Sequence, residues 1–209
     1  MILRLTAVLA VVFGLTALLG YLQIVGKAPW STPEMRHLRA MKDRASAPGR
    51  LAPFTDGDFA SLPRDLPPES CGRFEARGVS FDGYVQRLVV APDGDTHFEL
   101  VSAPRRPGAR DTAYVTAELT PQWRGESDRW AFEGLVASLR PNHGGATAWD
   151  SGPLRARVSG WLLYDFQHDV RHSPDALAHG ARVAGWEIHP ITRLELWRDS
   201  LGRFADLPQ

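Results

Sequence analysis

The sequence predicts a mainly β domain of five strands, with one helix between the third and the fourth, preceded by an N-terminal transmembrane helix. Three observations carry this. Residues 5–26 are an apolar run without a charge. Five stretches between Gly72 and Trp197 alternate apolar and polar residues with the period of two that a half-buried strand requires. Between the third and fourth of them, Trp130, Leu135 and Leu139 lie near one helical stripe that ends in Pro-Asn-His-Gly-Gly.

The apolar run, LTAVLAVVFGLTALLGYLQIVG, follows Arg4 and precedes Lys27. Roughly 20 such residues span the hydrocarbon core of a bilayer as a helix. It is apolar all round and sits at the terminus, which argues against a buried amphipathic helix. Its small-x-small cleavage pattern is poor, so segment 1–27 is read as an anchor in preference to a cleaved signal peptide. Arg4 and the terminal amine favour an N-terminus that stays inside, which places the rest outside the cytoplasm as a single-pass cell-membrane protein. The membrane is thus one expected partner, and an envelope protein a second.

Residues 28–70 change character to Pro and charge. Ser31-Thr32-Pro33-Glu34 has the cap, the first-turn proline and the early acid of a helix start, so a short helix to about Ala45 is expected. The repeated prolines after it read as a semi-rigid tether. The globular part is assigned to 71–200, with 201–209 as a tail.

In the globular part, Val79, Phe81 and Val85 share one face of a first strand, and Phe98 and Leu100 one face of a second. Pro92-Asp93-Gly94-Asp95 between them is a hairpin signal. Val115, Ala117 and Leu119 alternate with Tyr114, Thr116 and Glu118 in a third strand. Ser127 or Asp128 caps the helix that runs to about Leu139. Leu154, Ala156, Val158 and Leu162 alternate with Arg155, Arg157 and Trp161 in a fourth strand. In the fifth, Trp186, Ile188, Thr192, Leu194 and Leu196 oppose Glu187, His189, Arg193 and Glu195.

This order resembles the OB-fold, a five-stranded Greek-key barrel whose helix lies between its third and fourth strands. Gly83, where the long first strand of such a barrel bends, and the hairpin into the second strand add to the resemblance. The segment Trp186 to Pro190, WEIHP, is similar to one that closes an uncharacterised bacterial group of OB-like proteins. The resemblance implies the barrel and leaves the activity open, because OB barrels host many functions.

Charge and cysteine narrow the classes. Lys plus Arg number 24 against 24 Asp plus Glu, so no global field draws the chain to nucleic acid. The single cysteine, Cys71, forms no internal disulfide and no zinc motif. No Gly-rich phosphate loop, nucleophile elbow or Cys-His pair stands out in the chain.

Two constellations remain. The ligand face that the OB resemblance implies carries His97, Glu99, Tyr114, Thr116 and Glu118, bordered by a basic loop with Arg105, Arg106 and Arg110. One aromatic and two carboxylates there disfavour single-stranded nucleic acid. Glu99 and Glu118, if directly opposite, would form a carboxylate pair. The second constellation is Asp165, His168 and His189, with His172 and His179 in the insert between them: two imidazoles and a carboxylate would hold a divalent ion and leave a position for water. Glu187 is expected to pair with Arg155 or Arg157 across the strands, and Trp186 to fill the core. The reading that results is a membrane-anchored, non-catalytic ligand-binding or protein-interaction module. Its rivals are a metal-dependent hydrolase using Asp165, His168 and His189, and a single-strand nucleic-acid binder.

Overall fold

The computed structural model describes residues 2–24, 31–91, 93–104, 113–125, 154–169 and 182–206. They fall into two compact units, Met1–Asp43 and Arg44–Gln209.

The first unit holds two helices, α1 (Ile2–Ile24) and α2 (Pro33–Lys42). Thr32 caps α2 by accepting from the Met35 amide, Pro33 opens its first turn and Arg39 and Lys42 face the negative end of its dipole, so the helix expected there forms. On α1, Val11, Val12, Phe13, Leu15, Leu18 and Tyr21 are exposed. Among the described residues no helix is long and apolar enough to cross a membrane.

The second unit is mainly β. Its elements are β1 (Leu51–Phe54), α3 (Asp56–Ser61), α4 (Pro68–Glu75), β2 (Gly78–Val90), β3 (Thr96–Val101), β4 (Val115–Leu119), α5 (Pro121–Gly125), β5 (Leu154–Tyr164), a 3-10 turn (Phe166–His168), β6 (Trp186–Arg198) and β7 (Arg203–Asp206). β2, β3, β4, β6 and β5 neighbour one another in that order, and β5 pairs back onto β2, which closes a five-stranded barrel. β4 and β6 run parallel and the other barrel pairs antiparallel. Closure removes the open edges that an isolated sheet would expose.

The inward residues are those the alternation marks: Val79, Phe81, Val85, Phe98, Leu100, Val115, Ala117, Leu119, Ala156, Val158, Leu162, Ile188 and Leu194 are all buried. Trp186 packs on Phe74 and Tyr164 and donates its indole N–H to the Pro63 carbonyl at 2.7 Å. The β2–β3 hairpin turns at Gly94, whose φ of +91° suits a residue without Cβ. Gly160 is required for a different reason: a Cβ there would run into the Pro190 carbonyl, at the place where the β5–β6 register shifts.

Three segments differ from the sequence reading. Residues 44–70, expected as tether, belong to the barrel unit: β1 pairs parallel with β2, and Phe54, Phe59 and Leu62 enter the core. The prolines that suggested a spacer serve as stops within structure, with Pro53 in a short outer strand and Pro68 in the first turn of α4. The expected tail contains β7, which pairs with β6 after a turn at Gly202. Finally, β4 is buried on both faces. Arg182 bridges to Tyr114, and the Val183 amide donates to the Tyr114 carbonyl at 2.8 Å, so the chain entering β6 lies alongside the start of β4. The helix expected from Ser127 or Asp128 to Leu139 lies outside the described residues; α5 directly follows β4.

Candidate functional site: a buried charged centre on the barrel wall

The register of three strands assembles the centre. His97 on β3 stands opposite Glu118 on β4, and Ala117 of β4 pairs with Ile188 of the parallel β6, so Glu118 comes level with His189, the residue after Ile188. The His189 Nδ1 lies 2.9 Å from Glu118 Oε2 and 3.1 Å from Glu187 Oε1. The His97 Nε2 is 3.3 Å from Glu118 Oε1. On its other side, the His189 Nε2 faces Asp95 Oδ2 at 3.7 Å.

Arg182 extends the centre toward the end of β5. Its guanidinium donates to Glu187 Oε2 at 2.8 Å and approaches Asp165 and Glu118, each at 3.8 Å. Burial by itself would lower its pKa; Glu187, Asp165 and Glu118 outweigh that and hold the charge more firmly than usual. Asp165 Oδ2 takes the His168 Nδ1 at 2.7 Å, and this hydrogen bond raises the imidazole above its ordinary range. Beside it, Tyr164 donates to Asp169 at 2.8 Å and accepts from the Asp65 amide, and burial followed by the Asp169 bond pushes its phenol up.

Glu187, His189 and Asp165 have 0% exposure and Glu118 has 1%, so these are ionisable groups taken out of water. Burying an ion costs several kcal/mol unless partners repay it, so a packed set of this kind is expensive to maintain. Among the described residues, Asp95, Glu118 and His189 also offer one ligand atom each within 4.8 Å of one another.

The residues named from sequence regroup here. His97, Glu118 and His189, assigned above to two different constellations, lie in one network with Asp165 and His168. Asp165 and His168 connect to His189 through Arg182 and Glu187, and the group with metal-ligand spacing takes Asp95 and Glu118 in their place. Glu99 is opposite Thr116, not Glu118, and pairs with Arg87 at 3.0 Å. Tyr114 is partly buried, and burial and then Glu99 raise its phenol. Thr116 and Glu118, expected on an open face, are 2% and 1% exposed. Glu187 pairs with Arg182 instead of Arg155 or Arg157, because the strand register sets Glu187 opposite Leu163 and Arg157 opposite Glu195; Arg157 instead holds Asp82 at 2.6 Å and Arg155 stacks on Trp197. Arg105, Arg106, Arg110, His172 and His179 lie outside the described residues.

Sequence reasoning missed Asp95 and Arg182. Asp95 read as a turn residue, although the strand that starts after it carries His97 two places on; Arg182 had no periodic context. A concavity of about 530 Å³ lies on another part of the wall, between β1 and the outward residues Asp82, Arg157, Arg193 and Glu195. Of its charges Asp82 pairs with Arg157 and Arg193 with Glu195, and Asp56 accepts from the Ser102 hydroxyl at 3.0 Å, so it has less to offer a ligand. Compared with models of protein families, with curated proteins and with solved structures, the chain matches none.

Proposed function

We propose that the chain is a single-pass protein of the cell envelope whose OB-like barrel is a non-catalytic binding module, with its ligand site at the charged centre. One observation carries the reading: Asp95, His97, Glu118, Asp165, Arg182, Glu187 and His189 converge from β3, β4, β6 and two connections into one network. Groups so costly to bury concentrate at functional sites. The OB assignment draws support from the strand circuit, in which the third barrel strand runs parallel to the fifth and the fourth closes on the first. Nucleic acid is disfavoured at this wall, since Asp95, Glu99, Glu118 and Glu187 repel phosphates.

The anchor is proposed from the uncharged run 5–26 and the helical backbone of α1. Alkaline extraction of membranes tests it. The full chain should stay with the lipid, and a chain starting at Ala28 should be released; release of the full chain would remove the anchor from the proposal.

For the binding role, thermal melting of the detergent-solubilised full chain is followed with divalent cations, polyamines, inorganic phosphate and short oligosaccharides in turn. At least one class should raise the midpoint saturably, and Arg182→Met should abolish the rise. No shift with any class, together with hydrolysis of a model ester lost in His189→Gln, would replace binding by the hydrolase.

A further inference from the structure

We infer that the ligand of the charged centre is a first-row divalent cation of the Zn2+ or Mn2+ kind, held by Asp95, Glu118 and His189; this rests on the reading of that centre as the binding site. The spacing argues for an ion. His189 Nε2 and Asp95 Oδ2 stand 3.7 Å apart, too far for a hydrogen bond. Two ligands each about 2.1 Å from a tetrahedral ion stand roughly 3.4 Å apart, so a small inward adjustment would seat one between them.

The surroundings are those of a supported ligand. Glu118 Oε2 at 2.9 Å and Glu187 Oε1 at 3.1 Å both face His189 Nδ1, and Arg182 holds the other Glu187 oxygen at 2.8 Å; these carboxylates favour the proton on Nδ1 and leave Nε2 toward Asp95 as a lone pair, and Glu118 would turn a carboxylate oxygen from that side of the ring to the ion. An independent sign comes from Thr116. Its Oγ1 is buried, has no hydrogen-bond partner among the described residues and lies on the Glu118 face of β4. A buried hydroxyl without a partner costs about 1–3 kcal/mol, and an ion-bound water on that face would satisfy it. One imidazole with two carboxylates selects first-row ions over Mg2+ and Ca2+, which prefer sets made of oxygen.

The test uses the detergent-solubilised full chain, stripped with chelator and titrated with Co2+ as a visible probe, then with Zn2+ and Mn2+. One ion per chain is expected, with Co2+ absorption bands that Zn2+ abolishes and millimolar Mg2+ does not. Asp95→Asn, next to the hairpin turn and well placed to preserve the fold, should weaken binding at least tenfold, as should His189→Gln. Asp206→Asn, on β7 and outside the centre, should leave affinity within twofold. Circular dichroism of each variant separates lost ligation from lost folding. Absence of stoichiometric binding to the wild-type chain, or equal affinity in a folded Asp95→Asn protein, overturns the cation site. If a polyamine, phosphate or oligosaccharide still raises the wild-type midpoint in an Arg182-dependent way, the binding-module reading survives that failure; if nothing does, both fall.

Discussion

Cys71 shows how burial decides reactivity at the residue scale. Its side chain is 3% exposed, and burial, with Glu75 and Glu69 near it, pushes the thiol up to about 11. At pH 8 the native chain should therefore react with iodoacetamide roughly a hundredfold more slowly than the denatured chain. Equal labelling by mass spectrometry would show that the thiol is not held this way. His168 makes a pH prediction. Asp165 raises its folded pKa above the ordinary value of about 6.5, so the stabilisation is complete below that value and is lost as pH climbs through the raised one. His168→Gln should lower the melting midpoint at pH 5.5 and matter less at pH 9; a constant difference would contradict the ion pair. Arg182→Met strips Glu187 of its guanidinium and should cost about 3–5 kcal/mol in chemical denaturation. The sequence exposed His97, Glu118 and His189 as candidates because polar residues stand out against a period of two. It hid Asp95 and Arg182, whose roles come from contacts made across distant segments.

At the scale of elements, the strands were readable and their surroundings were not. Alternation marks which side chains face the barrel interior, and Phe81, Phe98, Ala117, Val158 and Leu194 follow it. It says nothing about what covers the outer side. Thr116 and Glu118 have the pattern of an exposed face and are buried, because the chain at Arg182 and Val183 comes back along β4 from more than 60 residues away. Register is equally non-local: pairing His97 with Glu118 instead of Glu99 with Glu118 follows from the hairpin as built and decides whether two carboxylates or an imidazole and a carboxylate meet. Gly160 tests the β5–β6 crossing. With the Pro190 backbone in the path of any Cβ, Gly160→Ala should cost about 3 kcal/mol by urea denaturation. A loss under a few tenths of that would mean that the two strands can separate there at little cost.

For the whole molecule, the boundary of the folded unit falls at Arg44, well before Cys71. Composition suggested a tether because prolines and charges outnumber apolar residues in that stretch, while the few that matter, Phe54, Phe59 and Leu62, are spaced too irregularly to signal an element. A fragment of residues 44–209 should melt within a few degrees of the full chain. One starting at Glu69 forfeits three core side chains at about 2–5 kcal/mol each and should fail to fold cooperatively. Arg44 gives this boundary a mechanical meaning. Its guanidinium grips the carbonyls of Glu75, Leu162 and His189 at 2.7, 3.0 and 2.9 Å, and a few residues later β1 lies parallel on β2. Tension applied from the N-terminal side would load those three bonds together and then shear the β1–β2 ladder lengthwise instead of unzipping it. The same clamp closes on the His189 carbonyl, so a pull on the chain is felt at the charged centre before any barrel strand parts.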